Sequence, residues 1–429
     1  MHKFIQLKMK VLWYSHVSLI ADVNGKLFYP GGNWISSLKA LFINDPNIEL
    51  GIVFWGDEDL SFKDEHGVKY YQLMKSNNSK FVNYYNNLQH QIGSKQQVEK
   101  LLLPIQDFSP DIIHIFGTET VLGEIVKHTN VPLVIHLQGI INPCLNAWFF
   151  PGFKEFAFLK SLNWVYFAKG VGLFHDFYRF KKMARRELEI FNACCNFIGR
   201  THWDKAITKL YAPQANYYHC DEIIREIFYN AKWEMPKNKK FILASTINEN
   251  IYKGLDLILK TAVLLKQNKN FDFEWNIYGV QPNSEYAKFI KNLIGKNFFE
   301  NNIVLKGVTL EKELLQGLLN SNLFIHTSYI DNSPNTVCEA QLIGLPVIST
   351  NVGGISTLIQ DEVDGFLVPS NEPHILASTI IDLYVNCDKL DFVSQNSFRV
   401  AHERHNPSAI KDHLIDIYTS VVGIEINHI

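Results

Sequence analysis

The sequence predicts an α/β protein built from two doubly wound domains, each a parallel sheet covered by helices. Apolar segments of strand length alternate with helical patterns twice along the chain, which is typical of parallel sheets with crossover helices. The 429 residues, 47% of them hydrophobic, suffice for two cores in domains of about 200 residues each. The expected strands are 10–15, 48–54, 112–116 and 133–137 in the first half, then 241–245, 273–278, 303–306, 323–327 and 346–350.

The polar, proline-containing stretch 233–240 is the expected boundary between these domains. We therefore predict a first domain at 1–235 and a second at 236–408, with a terminal helix in 409–429. The segment 407–422 has apolar side chains at helical spacing, namely Ile410, Leu414, Ile417 and Val421.

Net charge, cysteine spacing and the length of the apolar runs each disfavour some classes of partner, site or segment. A net charge of −2 and a pI near 6.8 give no general attraction to nucleic acid. The six cysteines have no C-x-x-C spacing, which disfavours a zinc site or a disulfide framework. No apolar run reaches 18 residues, and His16 and Asp22 interrupt the apolar start, so neither a transmembrane helix nor a signal peptide is expected. We therefore expect a cytoplasmic protein.

The most informative segment runs from Asp331 to Pro346. Ser333 suits an N-cap, Pro334 the first helical position and Gly344 a left-handed C-terminal residue, so a helix is expected over 334–343. The free N–H groups at such a helix start favour an anion such as a pyrophosphate. Glu339 would lie roughly 7–8 Å further along the helix, at 1.5 Å per residue.

This pattern resembles the retaining glycosyltransferases of the GT-B class, family 4, whose signature is Glu, seven residues, Glu, followed by Gly-x-Pro-Val-Ile. Here the first acid is Asp331. The resemblance implies two Rossmann-like domains facing across a cleft, with the terminal helix crossing back to the first domain. It also implies that Asp331 contacts the donor sugar and Glu339 the ribose. The donor site would further include the helix start, namely Asn332, Ser333, Pro334, Asn335 and Thr336.

Two further loops of the second half match the resemblance. Lys253, followed by Gly254, precedes a helical pattern, and the family uses a lysine here to neutralise the donor diphosphate. The arginine that usually stands about five residues earlier is absent from 246–249. A solvated loop lysine is the alternative interpretation. The loop 307–310, including Val308, resembles one that contacts the nucleobase, although an ordinary turn explains it equally well. The expected catalytic residues are Asp331, Lys253 and Glu339.

In the first half, Gly31 and Gly32 lie between the first strand and a helix, where the backbone can approach a ligand closely. A G-x-G-x-x-G fingerprint is absent here, which disfavours a nicotinamide enzyme. The resemblance implies donor contacts by Gly31 and Gly32. It places Gln138 where many members have a sugar-binding histidine, with His136 two residues away.

The segment 148–186 is rich in aromatic residues with interleaved lysines and arginines. Such a surface could contact an anionic membrane, at the inner face of which a lipid-linked acceptor would be met. An insertion packed on the N-terminal domain is the alternative.

Together these features predict a metal-independent retaining glycosyltransferase of polysaccharide biosynthesis. Its donor would be a UDP- or GDP-linked sugar and its acceptor a glycan or a lipid-linked glycan, with no cofactor, metal or nucleic acid. Two alternatives remain. One is another GT-B-shaped enzyme, such as a nucleotide-sugar epimerase. The other is a catalytically weakened binding or scaffold protein, suggested by Asp331 and by the missing arginine.

Overall fold

The computed structural model describes residues 8–19, 33–75, 79–149, 151, 153, 167–237 and 239–423. The chain divides into two compact units. Unit 1 comprises 1–145, 163–223 and 406–429, and unit 2 comprises 146–162 and 224–405.

Unit 1 contains one sheet in the order β3-β4-β2-β1-β5-β6-β7-β8. Its strands are β1 Met9–Tyr14, β2 Ile48–Gly56, β3 Leu60–Lys63, β4 Lys69–Met74, β5 Ile112–Phe116, β6 Leu133–His136, β7 Asn196–Gly199 and β8 Asn216–His219. All neighbouring strands are parallel except β3 and β4. The helices are α1 Asn33–Phe42, α2 Lys80–Leu88, α3 Lys95–Phe108, α4 Ile141–Asn146, α5 Leu173–Ala193 and α6 His202–Tyr211.

The last helix of the chain, α15 Pro407–Val422, packs within unit 1. Its Tyr418 hydroxyl accepts a hydrogen bond from Trp13 Nε1 at 3.0 Å and lies 2.6 Å from His114 Nδ1. All three side chains are buried. The terminal segment is therefore part of the first unit's core, and a polar network inside that core fixes its position.

Unit 2 contains a fully parallel sheet in the order β11-β10-β9-β12-β13-β14. Its strands are β9 Phe241–Thr246, β10 Phe273–Tyr278, β11 Ile303–Gly307, β12 Leu323–His326, β13 Val347–Thr350 and β14 Phe366–Val368. Its helices are α7 Glu226–Tyr229, α8 Leu255–Leu265, α9 Glu285–Ile294, α10 Glu311–Leu319, α11 Asn335–Ile343, α12 Ile355–Leu358, α13 Pro373–Val385 and α14 Asp388–Arg404.

The division between the units falls between Ile223 and Ile224, which is earlier than the expected position at 235/236. The reason is packing, because Ile224, Phe228 and Trp233 are buried in the core of unit 2. Trp233 also donates from its backbone N–H to the carbonyl of Ile343 at 2.7 Å. The composition of 233–240 predicted a polar linker, but Trp233 in this stretch packs in the core of unit 2.

The expected aromatic surface at 148–186 is wrong in one described part. Trp148 is only 2% exposed, with its ring 6.3 Å from that of Tyr252, and the ring of Phe153 lies 5.9 Å from that of Phe289. These side chains pack inside unit 2. Residues 150, 152 and 154–166 lie outside the described residues.

No helix of the described chain combines the length and the apolarity needed to cross a membrane.

Candidate functional site

The strand order of unit 2 places a crevice beside β9 and β12. From β9 the chain continues through β10 and β11 on one side of the sheet, whereas β12 continues through β13 and β14 on the other. Ligands of open α/β sheets bind outside the carboxyl ends of the strands at such a switch point. The loops that follow β9 and β12 are therefore the expected location of a ligand site.

The loop after β9 ends with a short 3-10 helix, Ile251–Lys253, and Gly254 with φ 77°. A Cβ atom at Gly254 would lie 2.0 Å from the carbonyl oxygen of Thr327, so only glycine fits here. The backbone N–H of Tyr329 donates to the carbonyl of Tyr252 at 2.8 Å. These contacts hold the loops after β9 and β12 together and fix the direction of Lys253.

Lys253 and Asp331 meet at this point. The Nζ atom of Lys253 lies 2.6 Å from Oδ2 of Asp331. The Ser328 hydroxyl donates to the same oxygen at 3.2 Å, and Nε2 of the buried His326 lies 3.2 Å from it. Burial opposes ionisation of Asp331, but the Lys253 charge and the His326 contact outweigh it and hold the pKa of Asp331 well below its usual range.

The loop after β13 also contacts Asp331. The backbone N–H of Gly354 donates to the Asp331 carbonyl at 3.0 Å. A Cβ atom at Gly353, where φ is 54°, would lie 1.8 Å from that carbonyl oxygen. The backbone at Gly353 and Gly354 thus approaches Asp331 closely and positions this residue, which lies four residues before α11.

Helix α11 begins one residue later than expected. Its N-cap is Pro334, which makes no side-chain capping bond, so the expected role of Ser333 as N-cap is wrong. The expected end is confirmed by Gly344, which has φ 81°. Asn332 and Ser333 are buried, and Pro334, Asn335 and Thr336 form the helix start. The five residues of the expected donor loop thus follow Asp331 directly.

Glu339 is buried on α11 in an ion pair. Its Oε1 accepts a hydrogen bond from Nε of Arg225 at 2.7 Å, and NH1 of Arg225 lies 3.4 Å from Glu311 Oε1. Burial raises the pKa of Glu339, and the Arg225 charge opposes this shift. Arg225, just before the short helix α7, is not among the expected site residues.

The Arg225 pairs also connect Glu339 to the expected nucleobase loop. Glu311 opens α10, directly after the loop 307–310. Val308 is 57% exposed and follows β11 at the edge of the sheet. Val308 therefore lies at the same carboxyl edge as Lys253 and Asp331, and Arg225 joins Glu311 to Glu339.

The expected donor contacts of the first half are placed only in part. Gly31 and Gly32 lie outside the described residues. Gln138 lies in unit 1 just after β6, where its Nε2 donates to the carbonyl of His136 at 3.3 Å. His136 itself is buried, with its ring 5.4 Å from both Trp34 and His114, and it belongs to the core. In the described residues no group of three or more His, Cys, Asp or Glu is placed to hold a metal ion.

The segment that carries Lys253, Asp331 and Glu339 is similar to a known protein family. Residues 227–399 match the family model "Glycosyl transferases group 1". The matched segment contains both loops of the switch point and helix α11, whereas Arg225 lies two residues before it. The family match therefore covers every expected site residue of unit 2.

Curated relatives are similar over parts of the chain. The amylovoran biosynthesis glycosyltransferase AmsK of Erwinia amylovora is 28% identical over 30% of this chain and 33% of its own length. A UDP-Gal:alpha-D-GlcNAc-diphosphoundecaprenol alpha-1,3-galactosyltransferase of Escherichia coli is 30% identical over 24% of this chain and 26% of its own. The chain thus spans between a quarter and a third of the length of these two relatives.

Solved structures are similar over nearly the whole chain. Sucrose-phosphate synthase of Thermosynechococcus elongatus has a TM-score of 0.73 at 13% identity, covering 97% of this chain and all of that one. Anabaena HepE in complex with UDP-glucose has a TM-score of 0.65 at 16% identity, covering 96% and 100%. This likeness shows the fold, and it confirms the expected GT-B class with two Rossmann-like domains.

Proposed function

We propose that this protein is a retaining glycosyltransferase that takes a sugar from a nucleotide-diphosphate donor. The observation that carries this proposal is the contact between Lys253 Nζ and Asp331 Oδ2, at the switch point of a unit that matches glycosyl transferases group 1. A fixed cation beside an ionised carboxylate can bind a diphosphate and the sugar attached to it. Both groups come from loops that follow central strands.

The leaving diphosphate carries the charge that the site must stabilise. Lys253 supplies a cation, and the start of α11 supplies backbone N–H groups and the positive end of its dipole. Donors fixed before the reaction stabilise developing charge without reorganisation. We propose that these groups take the place of a metal ion, and that Asp331 holds Lys253 in position while it contacts the sugar.

Glu339 is proposed to bind the ribose of the nucleotide. One of its oxygens accepts the Arg225 hydrogen bond, and an ionised carboxylate offers about four acceptor positions on two oxygens. The remaining positions suit the two ribose hydroxyls. Val308 and its loop are proposed to contact the base.

The relatives support the acceptor class and the donor class. AmsK is named for amylovoran biosynthesis, and the galactosyltransferase is named for a diphosphoundecaprenol-linked acceptor. HepE was solved with UDP-glucose. We therefore propose a UDP-linked donor, with a GDP-linked donor as the alternative, and a glycan or lipid-linked acceptor in polysaccharide assembly.

An anionic membrane surface is proposed as a further partner, through a face that combines α2 with the α5 part of the expected segment 148–186. Helix α2 exposes Phe81, Val82, Tyr84 and Tyr85, and Phe81 is 77% exposed. Residues 66–98 contain four lysines and no Asp or Glu. Lys181, Lys182 and Arg185 on α5 are exposed, and Lys182 donates to the carbonyl of Gln89 just after α2. Aromatic side chains flanked by cations bind the interface of anionic bilayers.

The first experiment is ligand-observed NMR with UDP-, GDP- and ADP-sugars. We expect one nucleotide sugar to bind, and Lys253→Ala to weaken it roughly ten-fold or more, since a hydrogen bond to a charged group contributes about 1.5–3 kcal/mol. Lys389→Ala removes a lysine from an exposed pair with Asp382 and should have no effect. Absence of binding by the wild-type protein would contradict the proposal.

Three outcomes separate the proposal from its alternatives. Release of free nucleotide only when acceptor is present excludes an epimerase. A rise in transfer activity on Asp331→Glu would favour a catalytically weakened protein. Full wild-type activity that is lost in Asp331→Ala would exclude the weakened protein.

A further inference from the structure

A second set of polar groups lies at the carboxyl edge of the unit 1 sheet. The switch point of this sheet lies between β1 and β5, because the chain continues through β2 on one side of β1 and through β6 on the far side of β5. The ends of the two strands are connected, since the ring of His16, just after β1, hydrogen-bonds the backbone of Phe116 at the end of β5. By the rule applied above to unit 2, this edge is also a ligand-binding position.

Glu119 occupies the centre of this edge. Its Oε1 accepts a hydrogen bond from the backbone N–H of Gly139 at 2.6 Å. A Cβ atom at Gly117, where φ is 93°, would lie 2.1 Å from Glu119 Oε2, and one at Gly139 would lie 3.1 Å from Oε1. Two glycines after neighbouring strands β5 and β6 thus leave the space that this carboxylate fills. Gln138 borders the same space, because its Cγ would lie 3.4 Å from a Cβ at Gly117.

The neighbouring Glu187 is a carboxylate at the same edge whose role is structural. It is fully buried and accepts from the Thr118 hydroxyl, from the backbone N–H groups of Ile141 and Asn142, and from the Asn142 side chain, all within 2.9 Å. These four hydrogen bonds use its acceptor capacity. Glu119 differs, because it accepts from the backbone N–H of Gly139 and from its own and is partly exposed to solvent.

The charges around Glu119 come from two other elements. Arg186 on α5 donates to the Glu119 carbonyl at 2.7 Å. Arg200, after β7, donates to the carbonyls of Leu137 and Gln138 at 3.2 Å each and pairs with the buried Glu222. Burial raises the pKa of Glu119 to about 7; the Glu187 charge adds to the shift, and the two backbone N–H groups and Arg200 oppose it.

We propose that Glu119, with Gln138 beside it, accepts a hydrogen bond from a hydroxyl of a bound sugar at the switch point of unit 1. A partly exposed carboxylate with further acceptor positions on its two oxygens, next to a side-chain amide, has the chemistry that recognises sugar hydroxyls. The sugar is that of the donor or that of the acceptor, and in both cases the inference rests on the proposed transferase function. A loop latch, in which Glu119 only holds Gly139, is the competing role.

The test compares wild-type protein with Glu119→Gln, which keeps the shape and the Gly139 contact but loses the charge. Saturation-transfer NMR is recorded at pH 6 and pH 8 with UDP-glucose, UDP-galactose, UDP-N-acetylglucosamine and GDP-mannose, and with the methyl glycosides of the same sugars. Free UDP and GDP report the nucleotide site alone. Glu99→Gln removes an exposed carboxylate on α3 and is the matched control.

We expect wild-type binding of one sugar class to strengthen from pH 6 to pH 8, as Glu119 ionises, and Glu119→Gln to abolish this pH dependence. Sugar binding should weaken roughly ten-fold in the variant, as for loss of a charged hydrogen-bond partner. A loss confined to the nucleotide sugars, with UDP and GDP binding unchanged, assigns Glu119 to the donor. A loss confined to the methyl glycosides assigns it to the acceptor. Glu119→Asp should restore part of the binding.

Equal binding by wild type and Glu119→Gln at both pH values overturns the proposal and leaves the latch role. If Glu119→Gln fails to fold, as circular dichroism would show, the wild-type pH dependence decides, and a flat profile overturns the proposal. Wild-type binding of methyl glycosides without any nucleotide sugar would reject the transferase function while retaining this site. Binding of neither class rejects both.

Discussion

Lys253 and Asp331 are 78 residues apart in sequence, and their charged groups lie 2.6 Å apart in the structure. Asp331 Oδ2 also accepts a hydrogen bond from the Ser328 hydroxyl and lies 3.2 Å from Nε2 of His326. The shorter side chain at the first acidic position is thus anchored by neighbours that come from the same two loops. A carboxylate held in this way stays ionised at neutral pH.

The Asp331 contacts predict a specific pH dependence of stability. The pKa of Asp331 is lower in the folded protein than in the unfolded chain. Ionised Asp331 therefore stabilises the folded state fully above the unfolded pKa of about 3.9, and this stabilisation is lost as the pH falls toward the folded pKa. We expect Asp331→Asn to be less stable than wild type at pH 7, and this difference to shrink as the pH is lowered from about 5 to 3. Urea unfolding at a series of pH values measures it. A constant difference would contradict the prediction.

Arg225 is expected to contribute strongly to the stability of unit 2. Arg225→Ala leaves the buried Glu339 without its partner, and removing one member of a buried pair typically costs about 3–5 kcal/mol. Adding Glu339→Gln should recover part of the loss, because no unpaired charge then remains. A double-mutant cycle by denaturant unfolding measures the coupling. Arg399→Ala, which breaks an exposed pair with Glu403, is the control and should change stability by less than about 1 kcal/mol.

Tyr418→Phe tests how the terminal helix is held in unit 1. The change deprives Trp13 Nε1 and His114 Nδ1 of their shared hydroxyl, and each buried polar group left unpaired costs about 1–3 kcal/mol. We expect a clear loss in the free energy of unfolding, measured in urea. Tyr384→Phe alters a partly exposed tyrosine and should be close to neutral. Equal effects of the two changes would show that the hydroxyl of Tyr418 contributes nothing.

Vesicle co-sedimentation tests the proposed membrane face. We expect the protein to bind vesicles of phosphatidylglycerol and phosphatidylcholine, and to bind less at high salt because surface charges are screened. Replacing Phe81 and Tyr85 by serine should reduce binding several-fold. Phe299→Ser removes a side chain that is 82% exposed but lies in unit 2, outside the proposed face, and serves as the control. Equal loss in both variants, or binding that is independent of lipid charge, would contradict the assignment to α2.

Local sequence patterns predicted several elements of the fold closely, although the strands β3, β4, β7, β8 and β14 were not among those expected. The expected helix 407–422 coincides with α15, and β5 and β10 were predicted with their observed ends. Helix α11 begins one residue after the expected start, because Pro334 and not Ser333 is its N-cap, and it ends before the expected Gly344. Such features depend on residues within one or two turns, so hydrophobic periodicity and capping chemistry carry the information.

The partners of the site residues were not predictable in the same way. Arg225 reaches Glu339 across 114 residues, and Glu119 reaches Gly139 across neighbouring strands. Neither contact leaves a local pattern. The aromatic segment 148–186 shows the same limit, since composition suggested a surface while tertiary packing buries Trp148.

The sequence by itself determined the α/β class, the alternation of strands and helices, and the acidic and basic residues of the proposed donor loops. Only the tertiary structure decided which of these charges meet. Strand order and register bring loops from distant parts of the chain to one sheet edge, and those are non-local quantities. The electrostatic character of Asp331, Glu339 and Glu119 follows from burial and from neighbours supplied by that arrangement, so it emerged only with the fold.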